Sequence, residues 1–246
     1  MSSKDLFSAH SALYKTFRPE YPQALYKFIL QHIPDNCLAW DVGTGNGQVA
    51  KVLSKYFTSV YATDISEKQL AEAPEIENVC YAKCRAENSG LPDRSVDLIT
   101  IAQALHWFNF ESFNIEVKRV ARPSALIAAW GYELLRINDE LDKLIHDFYF
   151  NTIGAYWAPE RKHIENAYRD IPFPYMKIEC PKFSIEQDWT LAQLEGYLNT
   201  WSAVQHYMLQ HQVNPVDELI ARAEAFWPGS TPLRVELPIF LRMGTI

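Results

Sequence analysis

The sequence lacks the long apolar run that a membrane-spanning helix requires. Such a helix needs about 18 consecutive apolar residues, and no stretch of the 246-residue chain approaches that length. Residues 1–5 are not followed by the apolar stretch of a secretory signal. We therefore expect a cytoplasmic protein with no membrane partner.

Cysteine is scarce, with only four residues in the chain. Cys80 and Cys84 are separated by three residues rather than the two of a CxxC motif, and no second pair or nearby histidine accompanies them. We expect reduced structural thiols and no metal site. Because 48% of the residues are hydrophobic, a core can form without disulfides or metals.

Basic residues are in the minority, since 23 Lys and Arg stand against 30 Asp and Glu and give a net charge of −7. Proteins that bind DNA or transfer RNA usually present a basic face to the phosphates. The charge therefore argues against a nucleic-acid partner. The sequence leaves the oligomeric state open.

Strand-like and helix-like segments alternate along the first half of the chain. Short apolar runs are typical of buried parallel strands, and apolar residues three and four apart predict helices between them. This alternation predicts a doubly wound, mostly parallel α/β sheet that binds its ligands at the carboxyl ends of the strands. Strands are predicted at 37–42, 59–63, 79–83, 97–102 and 125–130, and helices at 23–33, 49–56, 68–73 and 110–120.

After Gly131 the alternation ends, and residues 154–176 are rich in proline and aromatic side chains. Two more strands, at 177–186 and 234–243, bring the predicted sheet to seven, with Pro238 indicating an edge position or a bulge. Helices are predicted at 141–148, 190–209 and 216–226. We predict one domain, 1–246, made of a lid and helix (1–36), a ligand-binding core (37–131) and a cap with the last strands (132–246).

A glycine-rich turn, Asp41-Val42-Gly43-Thr44-Gly45-Asn46-Gly47, joins the first core strand to the next helix. Glycines keep such a turn free of Cβ atoms, so that a ligand can contact the backbone, and the following helix can offer N–H groups to an anion. The nicotinamide fingerprint would need a glycine at position 48, which is Gln48. An ordinary glycine-rich turn is the alternative.

Three further features follow the next strands. Asp64 can accept hydrogen bonds from ribose hydroxyls, or it can be a helix N-cap, since Ile65-Ser66 begins a turn. Ala86-Glu87 follows the third strand and precedes a Leu91-Pro92 to Asp97 stretch. The segment Ala102-Gln103-Ala104-Leu105-His106-Trp107-Phe108 ends the fourth strand.

In this order, these features resemble the class I S-adenosylmethionine-dependent methyltransferases. The opening Phe7…Tyr14…Phe17-Arg18-Pro19-Glu20-Tyr21-Pro22 and the triplet Thr200-Trp201-Ser202 are similar to the type 11 family, which includes trans-aconitate methyltransferase-like enzymes. The resemblance spans almost the whole chain and is strongest over residues 7–132. One departure is Arg122-Pro123-Ser124-Ala125, where the family usually has a P-G-G turn. The resemblance implies a Rossmann-like fold and S-adenosylmethionine as the cofactor.

The resemblance also implies which residues contact the cofactor. Arg18 would pair with its carboxylate, or else cap the loop before Pro19 at the surface; Glu87 would accept from the adenine amino group, or else be a solvated loop acid. Tyr14 would belong to a lid, or to the core. The full predicted set is Tyr14, Arg18, Asp41, Gly43, Thr44, Gly45, Gly47, Asp64, Ile65, Ala86, Glu87, Ala102 and Gln103.

For the acceptor, His106 is the candidate catalytic residue, as a hydrogen-bond donor or a base; alternatively it bonds a nearby carbonyl and holds its loop. We expect methyl transfer to an oxygen of a small organic acid. A cofactor-binding protein without activity and a transfer-RNA methyltransferase are the alternatives. The predicted substrate-binding residues are His106, Trp107, Trp130, Tyr132 and Trp201, the last of which also fits core packing; Trp157, Arg161 and Lys162 are further possible contacts.

Overall fold

The computed structural model describes residues 17–246, so the predicted lid residues Phe7 and Tyr14 lie outside the described part of the chain. The strands are β1 (Leu38–Val42), β2 (Ser59–Asp64), β3 (Val79–Lys83), β4 (Val96–Ala102), β5 (Ala121–Tyr132), β6 (Met176–Ile178), β7 (Phe183–Trp189) and β8 (Leu233–Thr245). The helices are α1 (Gln23–Leu30), α2 (Gln48–Leu53), α3 (Glu67–Ala71), α4 (Phe110–Val120), α5 (Asp139–Asp147), α6 (Arg161–Glu165), α7 (Leu191–Asn199), α8 (Ser202–His211) and α9 (Pro215–Ala223).

The described chain forms two compact units. The sheet unit consists of Tyr21–Tyr132, Lys162–Phe183 and Ile239–Ile246. The helical unit consists of Glu133–Arg161 and Ser184–Pro238, together with residues 17–20. Part of the predicted cap segment thus belongs to the sheet unit. Among residues 17–246, no helix combines the length and the apolar character needed to cross a membrane.

The strands lie side by side in the order β3-β2-β1-β4-β5-β8-β6, and β7 pairs with β8 outside this order. Strands β1 to β5 run parallel to one another, whereas β8 is antiparallel to both β5 and β6. Because the order reverses beside β1, the carboxyl ends of β1 and β4 flank a switch point where ligands of such sheets bind. The predicted doubly wound α/β fold is confirmed.

The core of the sheet unit forms on β4, whose first six residues are all buried. Trp40 of β1 packs against Phe113 of α4, with ring centroids 6.2 Å apart. α4 begins where Asn109 accepts a hydrogen bond from the Ser112 N–H at 3.0 Å, as an N-cap does. Ser66 caps α3 in the same way. α4 begins at the predicted residue, whereas α3 begins at Glu67, one residue before its predicted start, and is capped by Ser66 rather than Asp64.

Two predicted elements of the second half are wrong because each is divided in the structure. The strand predicted at 177–186 is two strands, β6 and β7. The helix predicted at 190–209 is α7 and α8, separated by the extended backbone of Trp201 (φ −73°, ψ 131°). The apolar spacing continues across Trp201, so periodicity alone did not show the break.

Pro238 was predicted to mark an edge position or a bulge, and it lies at a register irregularity: Ile239 pairs with Tyr132, whereas Glu236 pairs with Arg136, so the pairing shifts by one residue between them. β8 lies between β5 and β6, and its pairing with β5 begins one residue later, at Ile239. The Pro238 carbonyl accepts a hydrogen bond from the Glu133 N–H at 2.8 Å. A residue without an N–H is tolerated here because the pairing with β5 begins only after it.

Trp201 is the centre of an aromatic cluster in the helical unit. We define the aromatic cluster as Phe148, Tyr149, Trp157, Tyr197 and Trp201. The ring of Trp201 lies 5.7 Å from those of Tyr149 and Trp157, and all members except the half-buried Trp157 are buried. These rings supply the core of a unit whose helices are short.

Candidate functional site

The loop after β1 is built on three glycines with left-handed backbone angles. Gly43, Gly45 and Gly47 have φ of 67°, 59° and 80°, values that other residues adopt only with strain. A Cβ at Gly43 would lie 2.5 Å from Ala104 Cβ, and one at Gly47 would lie 2.6 Å from the Tyr81 hydroxyl. At Gly45 the nearest atom would be 3.8 Å away, so that backbone is open to approach.

Hydrogen bonds fix this loop to the end of β2. The Thr44 N–H donates to the Thr63 carbonyl at 2.9 Å, and the Gly45 N–H donates to Asp64 Oδ2 at 2.9 Å. Helix α2, which follows, has only six residues. Contacts with β2 therefore help to fix the shape of the loop.

Asp41, at the end of β1, is buried under the loop. Its carboxylate accepts hydrogen bonds from the hydroxyls of Thr44 at 2.5 Å and Thr100 at 2.7 Å. Burial raises the pKa of Asp41 from 3.8 to about 6, although these hydroxyls favour the ionised form. Because Thr100 lies on β4, Asp41 links the loop to both central strands.

Asp64 accepts hydrogen bonds from the glycine loop and from the residue that caps α3. Besides Gly45, it accepts a hydrogen bond from the Ser66 N–H at 2.9 Å through Oδ1. Burial raises the pKa of this carboxyl above its usual range. A carboxylate has about four acceptor positions, so capacity for ligand hydroxyls remains. Ile65, the next residue, is 46% exposed.

Glu87 is not a solvated loop acid, because its side chain is only 14% exposed. Oε1 accepts from the Asn109 N–H at 2.8 Å, and Oε2 pairs with Arg85 Nε at 3.2 Å. Glu87 therefore joins the loop after β3 to the start of α4. Ala86, beside it, is buried.

Gln103 follows Ala102 of β4 in a left-handed conformation with φ of 54°. Its N–H donates to the Trp130 carbonyl on the neighbouring strand at 2.9 Å. Its Oε1 is buried and has no hydrogen-bond partner among residues 17–246. A strained backbone angle and an unpaired buried polar atom in the same residue are typical of functional positions. Neither property could be read from the sequence.

Trp130 also has a buried polar atom without a hydrogen-bond partner among the described residues. Its indole is fully buried and packs edge-on against Tyr21 at 5.6 Å. Within the described range, its Nε1 finds no acceptor. Tyr132, two residues on, is also buried, with its ring 6.4 Å from that of Tyr21.

His106 is buried, and its Nδ1 lies 3.0 Å from the hydroxyl of Tyr168. The partner of Nδ1 is thus a hydroxyl rather than the carbonyl that one prediction assumed. The ring of Trp107 lies 4.7 Å from the imidazole. Tyr168 is fully buried with φ of 57°. Sequence reasoning missed Tyr168, which carries no motif and lies 62 residues from His106.

Arg18 and Trp201, with the further candidates Trp157 and Arg161, belong to the helical unit, whereas Lys162 belongs to the sheet unit and Tyr14 lies outside the described residues. The Arg18 guanidinium lies 5.9 Å from the centre of the Tyr197 ring. Trp201 lies inside the aromatic cluster and is 4% exposed. The sheet unit alone therefore brings together the predicted cofactor residues from Asp41 to Gln103, along with His106, Trp107, Trp130 and Tyr132. In the part of the chain described, no group of His, Cys, Asp and Glu is placed to hold a metal ion.

Comparison with known proteins gives consistent matches. The family described as "Methyltransferase domain" matches residues 40–129, which include the glycine loop and His106. A candidate methyltransferase of Dictyostelium discoideum is 39% identical over 202 residues, covering 80% of this chain and 77% of that protein. Methyltransferase cfoB of Aspergillus candidus is 32% identical over 261 residues, covering 92% and 80%.

The chain is also similar to proteins of known structure. A candidate type II methyltransferase from Anaeromyxobacter dehalogenans has a TM-score of 0.86 and 39% sequence identity. The match covers 94% of this chain and 98% of that one. The names of these relatives specify methyl transfer but no acceptor.

Proposed function

Because the chain belongs to the class I S-adenosylmethionine-dependent methyltransferases, we propose that it methylates an oxygen atom of a small organic acid. The contacts of His106 support an organic acid as the acceptor. Its Nδ1 faces the Tyr168 hydroxyl, and Trp107 borders the ring. A carboxylate acceptor is ionised at neutral pH and needs no general base, which suits a histidine whose Nδ1 faces a hydroxyl rather than an acid.

The residues of the sheet unit fit S-adenosylmethionine. The backbone at Gly45 is open, while Gly43 and Gly47 leave no room for side chains. The buried polar atoms of residues 17–246 that stay unpaired include Gln103 Oε1, Trp130 Nε1 and the Tyr81 hydroxyl. We infer that the glycine loop, Asp64 with Ile65, Ala86 with Glu87, and Ala102 with Gln103 hold the cofactor, and that Asp41 positions the loop. We keep Arg18 as the proposed contact of the cofactor's carboxylate and Tyr14 as part of the proposed lid.

The chemistry asks the protein mainly to position the acceptor and to exclude water. Bound S-adenosylmethionine supplies a methyl group on a cationic sulfur, which keeps the bonding electron pair when the methyl carbon joins the acceptor oxygen. His106, oriented by Tyr168, would donate to the acceptor and fix its direction. Trp107, Trp130 and Tyr132 would form apolar walls, in which the attraction between an anionic acceptor and the sulfonium is stronger than in water.

The test uses the full chain with methyl-labelled S-adenosylmethionine and separate pools of small acids, phenols, amines and transfer RNA. Base-labile label on the acid pool is expected, since methyl esters hydrolyse readily. Label found only on amines or only on RNA would overturn the proposal. Asp64→Ala serves as the control for label that does not depend on the site.

A binding measurement separates an enzyme from a protein that only binds the cofactor. At a free concentration one hundred times Kd, S-adenosylmethionine should stabilise the folded protein by about 2.7 kcal/mol. Stabilisation with no label on any pool would favour the cofactor-binding alternative. An unchanged melting temperature at millimolar cofactor would contradict the proposal at its first step.

A further inference from the structure

A cleft of about 500 Å³ lies in the sheet unit, where the segment after α6 meets β6 and β8. Four of the residues that line it are cationic and, within the described chain, none is acidic. We call it the basic cleft, and its cations are Arg169, Lys177, Lys182 and Arg242. This local excess of positive charge contrasts with the net charge of −7 of the whole chain. Neither the glycine loop nor His106 lines the cleft.

The charges of the basic cleft are not neutralised by acids of the described chain. No acidic side chain of residues 17–246 lies within 4.0 Å of a side-chain nitrogen of the four cations. The acids nearest to them in sequence, Asp170 and Glu179, do not line the cleft, and Asp170 pairs with His163 at 2.8 Å. Because like charges around one cleft repel one another, a bound anion is favoured there.

The guanidinium of Arg242 is held in position by backbone carbonyls and an aromatic ring. Nη1 donates to the carbonyls of Tyr168 and Ile171, the latter at 2.7 Å. Cζ lies 4.6 Å from the centre of the Phe173 ring. Nε and Nη2 make no hydrogen bond to residues 17–246, and neither is among the buried unpaired atoms, so both are accessible to a ligand.

Burial also removes part of the water around Arg242. It lowers the pKa of this guanidinium, although the charge of Asp170 opposes the change. The other three cations of the basic cleft are exposed. The cleft therefore combines one oriented, partly dehydrated arginine with three cations that can adjust to a ligand.

We propose that the basic cleft binds a small molecule that carries a diphosphate or longer polyphosphate group. A planar guanidinium matches two phosphate oxygens, and lysines bind phosphate as point charges. Four cations suit a group with several negative charges better than a single carboxylate. The volume lies within the roughly 300–1,000 Å³ of small-molecule sites. Pro181 and Leu241 also line the cleft and offer apolar contacts to the rest of the molecule.

The test is a calorimetric titration of the full chain with inorganic pyrophosphate at constant ionic strength. Saturable binding of the anion is expected. The double variant Lys177→Gln with Lys182→Gln should raise the Kd roughly tenfold or more, because it loses hydrogen bonds to a charged group. Arg242→Lys should raise the Kd roughly fivefold, since it keeps the charge but loses the planar fork. Melting curves confirm that each variant is folded, and the exposed lysine pair tests the site even if Arg242→Lys does not fold.

Lys51→Gln with Lys55→Gln is the matched control. It removes two charges from exposed lysines of the same unit that do not line the cleft. The Kd for pyrophosphate should stay unchanged in this control. Absence of saturable binding, equal Kd in wild type and the Lys177 and Lys182 double variant, or an equal loss in the control would each overturn the proposal.

Two competition measurements test the place and the class of the ligand. Saturating S-adenosylmethionine should leave the Kd for pyrophosphate unchanged, and displacement of pyrophosphate would place the anion at the cofactor site and overturn the proposal. Tighter binding of citrate than of pyrophosphate would overturn the phosphate assignment. Transfer RNA that displaces pyrophosphate at concentrations below the pyrophosphate Kd would overturn the small-molecule assignment. None of these results depends on methyl transfer, so the site is tested independently of the proposed function.

Discussion

The sheet unit and the helical unit hold their charged groups in different ways. In the sheet unit, Asp41 and Asp64 are fixed at strand ends by hydroxyl and backbone N–H donors. In the helical unit, Arg18 and Arg161 lie against aromatic rings. The pairing of the strands fixes the positions of the residues at their ends, so these residues suit a ligand that a whole family shares. Ring contacts depend on individual side chains and can change without altering the backbone.

The largest expected effect tests whether Trp201 is a core residue of the helical unit. Trp201→Ala should lower the free energy of unfolding by about 3–5 kcal/mol, because it leaves a cavity in the aromatic cluster. Phe226→Ala, at a side chain of the same unit that is 47% exposed, should change it by less than about 0.5 kcal/mol. Denaturant unfolding measures both. A small loss in Trp201→Ala would favour the ligand contact that the sequence also allowed.

The second prediction concerns the buried charge of Asp41. Its pKa is about 6 in the folded protein against 3.8 for a solvent-exposed aspartate, as in the unfolded chain, so the folded state binds the proton more tightly. Ionisation between pH 4 and pH 6 therefore costs stability. Relative to Asp41→Asn, the wild type should lose about 3 kcal/mol as pH rises through this window. Denaturation of both proteins at several pH values gives the difference, and a flat difference would contradict the prediction.

The third prediction compares two glycines of the sheet unit that differ in role. Gly45 and Gly90 both have left-handed φ, 59° and 73°, and both have room for a Cβ. Alanine at either should cost roughly 1–2 kcal/mol of stability. Only Gly45→Ala should weaken S-adenosylmethionine, by at least tenfold or about 1.4 kcal/mol. Calorimetry checks this, and equal affinity in the two variants would show that the ligand does not approach Gly45.

The smallest expected effect concerns the hydrogen bond between Tyr168 and His106. Tyr168→Phe should lower kcat by about 2- to 10-fold, the range for one neutral hydrogen bond of about 0.5–1.5 kcal/mol. Tyr175→Phe is the matched control, because the Tyr175 hydroxyl bonds Asn114 in the same unit. Turnover of the acceptor found in the labelling assay measures both. Equal kcat in wild type and Tyr168→Phe would mean that His106 is not positioned by Tyr168.

The difference between strand ends and side-chain contacts also explains which features could be predicted from the sequence. Strand β3 was predicted at 79–83 and is found there. A short apolar run between two helix-like segments predicts a strand more readily than another helix. Asp64 was identified as a site residue because it follows a strand. The partner of His106 could not be predicted, since Tyr168 is distant in sequence and lies in a segment without periodicity. The orientation of Arg161 likewise depends on Tyr149, which no local pattern connects to it.

Gln103 has a consequence for any effort to make this protein more heat-resistant. Its left-handed backbone angle suits glycine, and its buried Oε1 has no partner within residues 17–246. A selection for thermal tolerance alone would favour Gln103→Gly, which relieves the backbone strain and removes the unpaired atom. The same replacement would delete a side chain that we assign to the ligand. Position 103 is thus where thermostability and catalysis are expected to conflict.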